Sequence, residues 1–197
     1  MEDRNRTRII QAARELLNNR GYRSITIDDI ANALGISKKT IYQVFSSKEE
    51  IAEAVLGEMT GSIAARVEEI KESGLDPVAK LRQIIAVVKE MRAQINPVFL
   101  EDLQKYAPNL WNQMEKQREE RTMLMEELLR EGQEAGLIKD VNPRLAVLMY
   151  LSVVKNLIRP DLIMQHGFSI EEIFDALSEV FIGGLSTAGQ KGSWREG

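Results

Sequence analysis

The sequence predicts an all-α protein: an N-terminal module of three helices containing a helix-turn-helix, then a larger helical domain, about nine helices in all. Three observations carry this. Apolar residues recur at helical spacing in one segment after another along the 197 residues. Asp76-Pro77, Asn96-Pro97 and Asn142-Pro143 each set a capping side chain before a proline, a common way to start a helix. No stretch alternates apolar and polar residues as a half-buried strand would.

The first helix covers residues 7–19. Ile9, Ile10, Ala13, Leu16 and Leu17 form its stripe, and Gly21 stops it. The stretch TIDDIANALGISKKTIYQVFSSK, residues 26–48, then reads as two short helices and a tight turn. Thr26 caps the first, with Ile27, Ile30, Ala31 and Leu34 at helical spacing. Gly35 ends it in a left-handed conformation, and Ser37 caps the second helix, which runs to Phe45. At about 100° per residue, Ile41, Val44 and Phe45 share one side and must pack on the first helix. Lys39, Tyr42 and Gln43 point the other way, flanked by Lys38 and Thr40. Cations, a phenol, an amide and a hydroxyl bond phosphate oxygens and base edges. This is the helix-turn-helix pattern, whose second helix lies in the DNA major groove.

Ser47 and Glu50 have capping-box spacing at the start of a fourth helix, which runs to about residue 72. Lys48 stands in its first turn, unfavourable for a cation on dipole grounds unless a phosphate binds there. The fifth helix covers residues 78–94. A short sixth carries Phe99, Leu100 and Leu103 and ends at Tyr106-Ala107-Pro108. The seventh spans residues 109–134, and Gly136 closes it. The eighth runs from Pro143 to Arg159 and is apolar around most of its circumference, so it is buried on more than one side. Ser169 and Glu172 form a second capping box for the ninth, which carries Ile170, Ile173, Phe174, Leu177, Val180 and Phe181. The domain boundaries predicted are 1–46 for the DNA-binding module, 47–186 for the helical body and 187–197 for a disordered tail.

Thr26, Ile30, Ala31, Gly35, Ser37, Thr40, Ile41, Tyr42, Phe45, Ser47 and Lys48 resemble the T…IA…G.S…T.Y..F.SK pattern of TetR-type regulators. The match covers roughly the first quarter of the chain. Val44 departs from it where Tyr or His is frequent, and Lys39 where a small residue is frequent. The resemblance implies a homodimer that binds a double-stranded DNA operator and is released when its larger domain takes up a small-molecule effector. It implies base or phosphate contacts from Lys38, Lys39, Thr40, Tyr42 and Gln43, with Thr26, Ser37 and Lys48 on the DNA backbone. It implies pairing of the eighth and ninth helices with their copies in a four-helix bundle. It also implies an effector pocket between the middle helices, where Met91, Phe99, Leu103, Tyr106, Trp111, Met114 and Met149 supply soft apolar groups. Glu90, Glu101, Asp102 and Gln104 lie near these in sequence. Carboxylates facing inward would favour a cationic effector, and carboxylates facing water an apolar one.

Charge fits this reading. The whole chain carries −4, yet residues 1–48 hold nine basic against five acidic side chains, a net of +4 that leaves −8 for the rest. A basic module on an acidic body marks a nucleic-acid face and favours one docking orientation. With no cysteine and one histidine, His166 in the link before the ninth helix, thiolate and usual zinc chemistry are excluded, and no cofactor is expected. No nucleophile elbow, P-loop or dinucleotide fingerprint occurs, so the chain is not read as an enzyme. The N-terminus lacks the apolar core of a signal peptide, and no apolar run approaches the ~20 residues that span a bilayer, so a cytoplasmic protein is expected. A helical small-molecule-binding protein without operator-specific regulation is the second reading.

Overall fold

The computed structural model describes residues 2–187. Ten α-helices account for most of them: α1 (Glu2–Arg20), α2 (Ile27–Leu34), α3 (Lys38–Tyr42), α4 (Lys48–Glu72), α5 (Pro77–Ala93), α6 (Pro97–Tyr106), α7 (Pro108–Glu134), α8 (Pro143–Leu157), α9 (Pro160–His166) and α10 (Ile170–Leu185). One isolated antiparallel bridge joins Ile138 and Ser186, and no strand occurs among the described residues. No helix among them is long and apolar enough to cross a membrane.

The helix absent from the expected set is α9. Pro160 does not merely end the preceding helix. It stands at the first position of a new one, where its missing N–H costs nothing. Gly167, at φ 70°, closes that helix with its N–H on the Ile163 carbonyl at 2.9 Å. His166 therefore ends a helix, with its ring stacked 5.8 Å from that of Phe168. The ninth helix expected from sequence is α10. The recognition helix is also shorter than expected, because regular α-helix stops at Tyr42. Phe45 N–H still reaches the Ile41 carbonyl at 2.9 Å, so the turn continues past the helix end.

The chain divides into two compact units. The first comprises the residues up to Ser62 and Gln94–Lys116; the second comprises Ile63–Ala93 and the described residues from Gln117 onward. The expected boundary at residue 46 thus falls inside the first unit. Two packing relations account for that. The start of α4 buries Ile51, Ala52 and Val55, and α6 packs directly on α1. Ile9, Ile10, Ala13 and Leu17 of α1, Ile30 of α2, Ile41 and Phe45 are all buried in this unit, as the apolar spacing requires.

In the second unit α10 packs on α5 and α8. Leu81 and Ile84 of α5, Leu128 and Leu129 of α7, Val147 of α8 and Phe174 of α10 form its core. The end of α10 is tied down. Lys139 N–H bonds the Leu185 carbonyl at 2.8 Å, and Thr187 bonds Leu137 and Gly136 carbonyls through its N–H (3.0 Å) and hydroxyl (2.8 Å). Thr187, expected in a disordered tail, is therefore held. The remainder of that tail lies outside the described residues.

Candidate nucleic-acid interface

The recognition face is built from two capped helices. Thr26 and Asp29 form a reciprocal capping box at α2. Thr26 Oγ1 accepts the Asp29 N–H at 3.2 Å, and the Asp29 carboxylate accepts Thr26 N–H at 2.8 Å. The Thr26 hydroxyl also donates to that carboxylate, and this bond first and the Thr26 N–H second hold the Asp29 carboxyl below the usual carboxylate range. Gly35, at φ 64°, turns the chain out of α2, and Ser37 caps α3 with its Oγ 3.1 Å from Thr40 N. Ser37 and Thr40 hydroxyls also bond each other at 2.9 Å.

This geometry sorts the side chains as the helical spacing requires. Ile41 is buried, whereas Lys38, Lys39, Tyr42 and Gln43 are exposed and Thr40 is half-buried. Lys38 pairs with Asp28 at 2.6 Å in the open, a contact of small net worth that a phosphate can replace. Arg6 lies 5.5 Å over the Phe45 ring, on the far side of the recognition helix from Lys39 in sequence periodicity. The α4 start differs in detail from the expected box. Ser47 Oγ accepts Glu50 N–H at 3.0 Å as its spacing predicts, but the Glu50 carboxylate reaches back to Ser46, whose N–H and hydroxyl both lie at 2.6 Å.

Lys48 has a role that spacing does not reveal. Its ammonium donates to the carbonyls of Tyr22 and Ile25, both at 3.0 Å, and sits 4.3 Å over the Tyr22 ring. Two of its three N–H donors are thus committed inside the module, and burial lowers its pKa, offset in part by the Asp102 charge. The unfavourable place of a cation in the first turn of α4 is explained by these carbonyls. Lys48 holds the loop between α1 and α2, which leads directly into the Thr26 cap.

A second clamp on that loop comes from α6. Asp102 Oδ2 accepts the Arg23 N–H at 2.8 Å, and the Arg23 guanidinium bonds the Tyr106 hydroxyl at 3.1 Å while lying 5.2 Å over its ring. Asn18 Oδ1 accepts Asn96 N–H at the α6 start. Gly21, at φ 78°, leaves the room this needs: a Cβ there would stand 2.5 Å from Asp102 Oδ2. Sequence reasoning missed Arg23 and the positioning role of Asp102, because the partners lie 79 positions apart. Asp29 was findable from the Thr-x-x-Asp spacing.

Of the residues expected to line an effector pocket, Phe99, Leu103, Tyr106, Trp111 and Met114 belong to the first unit and Met91 and Met149 to the second. Phe99 and Leu103 are buried. Phe99 borders a small recess with Arg14, Asn18, Val55, Met59 and Gln94. Trp111, Met114 and Met91 are half-buried, and Tyr106 and Met149 are exposed. Glu90 faces water in a 2.6 Å pair with Arg66, Glu101 and Gln104 are exposed, and Asp102 serves the clamp above.

A three-helix module that buries one side of a capped helix and opens cations, a phenol and an amide on the other defines a helix-turn-helix DNA-binding protein. The family model for bacterial regulatory proteins of the tetR family matches residues 9–55, and the tetracyclin repressor-like C-terminal domain matches residues 74–159. The chain belongs to the TetR family of transcriptional regulators, not to a family of enzymes. It is 27% identical over 180 residues to the uncharacterized HTH-type transcriptional regulator YvaF of Bacillus subtilis, covering 91% of this chain and 94% of that one. The HTH-type transcriptional repressor KstR2 of Rhodococcus jostii is 34% identical over 85 residues, 43% of this chain and 42% of that one. A TetR/AcrR-family regulator from Thermobifida fusca superposes with a TM-score of 0.70 at 26% identity, covering 92% and 98% of the two chains.

Proposed function

We propose that this regulator is a ligand-released repressor that binds a near-palindromic operator as a homodimer. Each subunit sets α3 into the major groove, with half-sites about one helical turn apart. Lys39, Tyr42 and Gln43 read bases or phosphates from the open face, Lys38 exchanges Asp28 for a phosphate, and Thr40, Ser37 and Thr26 hold the DNA backbone. Lys48 serves the interface by fixing the loop before Thr26 and offers its third N–H to phosphate. The observation that carries this reading is the separation of an apolar and a hydrogen-bonding face on a capped five-residue helix. The repressor sense draws on the relative in Rhodococcus jostii.

The dimer is proposed to form through α8 and α10. Leu145, Leu148, Met149, Val153 and Leu157 make a second, exposed stripe along α8, at helical spacing. Val180 on α10 is 74% exposed, and Gly183 and Gly184, on the same face, have open space around them. Such a continuous apolar stripe marks an interaction surface. The effector is proposed to bind in the helical body and to prefer the subunit spacing that DNA does not fit. Replacing Val180 with Asp should convert the dimer to monomer in sedimentation and abolish operator binding at dimer-saturating concentrations. A V180D protein that stays dimeric would place the interface elsewhere.

A further inference from the structure

Most cations around the two DNA-binding helices already have protein partners. Lys38 pairs with Asp28 at 2.6 Å, Arg20 pairs with Asp29 at 3.5 Å, Arg23 bonds the Tyr106 hydroxyl, and Lys48 is turned onto two carbonyls. Arg6 differs from these. It is exposed, and among the described residues no carboxylate stands in ion-pair contact with it. Its neighbour is the Phe45 ring, whose centroid lies 5.5 Å from the guanidinium carbon. Sequence spacing starts the first helix at residue 7, but α1 begins at Glu2, so Arg6 projects from regular helix. It stands three and four positions before Ile9 and Ile10 and continues their buried stripe. The side chain therefore runs out over the apolar end of the module and keeps its charged head in water.

The recognition helix fixes that seat. Phe45 follows Tyr42 by three positions, so the two are neighbours on the helix surface, and it stands about 120° round from Lys39. Phe45 N–H bonds the Ile41 carbonyl at 2.9 Å, which carries the turn of α3 as far as the ring. Ser46 comes next, and its N–H and hydroxyl both bond the Glu50 carboxylate at 2.6 Å. Those bonds act first on Glu50, and the Arg6 charge also reaches it. Glu50 is thus satisfied locally, and no ion pair with it holds the guanidinium. An α-helix with its side chains is about 10–12 Å across and the major groove is about 12 Å wide, so a helix in the groove fills it. A cation on the flank of such a helix meets the phosphate wall, not the base edges.

We propose that Arg6 is a phosphate-binding residue of the DNA interface, placed against the backbone beside α3 by its seat on Phe45. Its planar fork of N–H donors suits bidentate bonding to phosphate oxygens. The contact carries no base information and sets the register of α3 in the groove. It supplies, beside the start of α4, positive charge that Lys48 gives up in part by its commitment to the Tyr22 and Ile25 carbonyls. Arg8 is the internal comparison. It has the same charge on the same helix and is exposed, but it stands about 160° round α1 from Arg6, away from the seat on Phe45. This deepens the reading of α3 as a major-groove helix and rests on it.

The test uses the full chain and measures affinity against salt on two duplexes, an operator selected from a random pool and a scrambled duplex of the same length. Arg6→Gln keeps part of the stem over Phe45 and removes the charge. It should weaken binding to both duplexes by a similar, several-fold factor. It should also lower the slope of log affinity against log salt by about 0.9 for each bound subunit, about 1.8 for a dimer. Arg6→Lys should keep the slope, and Arg8→Gln should change it by less than half as much. Thermal unfolding of each variant reads the value of the seat to the fold, and the slope decides the inference whatever the midpoint does. A parental slope in Arg6→Gln overturns the inference, and a lowered unfolding temperature with it makes Arg6 a structural latch only. Equal falls in slope for Arg6→Gln and Arg8→Gln overturn it too, because charge anywhere on α1 would then serve. A loss confined to the operator, with scrambled binding unchanged, overturns it in favour of a base contact. A parent that selects an operator with an Arg6-independent slope loses only this inference. A parent that selects no operator but binds bulk DNA with an Arg6-dependent slope loses the regulator reading and keeps the phosphate contact, and a parent that binds no duplex loses both.

Discussion

Asp102 on α6 fixes the loop that leads into the DNA-binding helices, and its removal should be read most clearly at one amide. The carboxylate accepts the Arg23 N–H at 2.8 Å from a half-buried position. A hydrogen bond to a charged acceptor is worth about 1.5–3 kcal/mol, and partial exposure puts this one near the low end. A loss of about 1.4 kcal/mol is a factor of about ten. In Asp102→Ala, the Arg23 amide should therefore exchange with solvent about tenfold faster under native conditions. Operator affinity should fall by up to the same factor, because the loop ends at the Thr26 cap. Asp102→Asn keeps a neutral acceptor and should show roughly half the free-energy effect. Hydrogen exchange followed residue by residue and operator titration by fluorescence anisotropy measure both. An Arg23 amide that exchanges as in the parent, with operator affinity within twofold, would refute the clamp.

Three further outcomes follow from the same geometry. Gly21→Ala and Gly35→Ala both force a side chain into a left-handed conformation, costing about 1–2 kcal/mol. Only Gly21→Ala also drives a Cβ into Asp102, so it should unfold at the lower denaturant concentration of the two, and equal midpoints would contradict that. Tyr150 has a buried hydroxyl without a partner, and burial raises its pKa well above the ordinary value. Tyr150→Phe should stabilise the second unit by about 1 kcal/mol in chemical unfolding, and a loss of that size would show the hydroxyl to be satisfied. Asp29 and Glu50 have folded-state pKa values lowered by the hydrogen bonds they accept from Thr26 and Ser46, respectively. Each therefore stabilises the module above the ordinary carboxylate pKa of about 4 and loses that contribution as pH falls through the lowered value. NMR titration should find both carboxyls titrating below their ordinary values, and Thr26→Val should return Asp29 toward its own. An Asp29 that titrates at its ordinary value in the parent would refute the capping-box account.

Much of this molecule was legible in the order of its residues, because the signals were local. Caps, prolines and the 3.6-residue period place every helix but α9, and they place both faces of α3. Thr26, Gly35 and Ser37 each announce a backbone event within four positions of themselves. What could not be read is what distant segments do together. Lys48 looks like a cation at a helix start, and only folding shows it turned back onto the Tyr22 and Ile25 carbonyls. Asp102 and Arg23 carry no pairing signal across the intervening chain. The contact of α6 with α1 was hidden for the same reason: nothing in the composition of residues 94–116 shows that α6 packs on α1. Met149 illustrates the limit of periodicity on α8, where two apolar stripes exist and spacing alone does not choose which one faces the core. The missed α9 has a different origin, since one proline can end a helix and begin another.

The central claim is that the open face of α3 reads a particular DNA sequence in a two-fold symmetric dimer. Selection of bound duplexes from a random pool, repeated with Gln43→Ala and followed by affinity against salt, tests it most directly. The account predicts a near-palindromic winner held far more tightly than bulk DNA, with specificity relaxed at one symmetric pair of positions in the variant. A featureless pool bound weakly, with an affinity set only by salt, would contradict it.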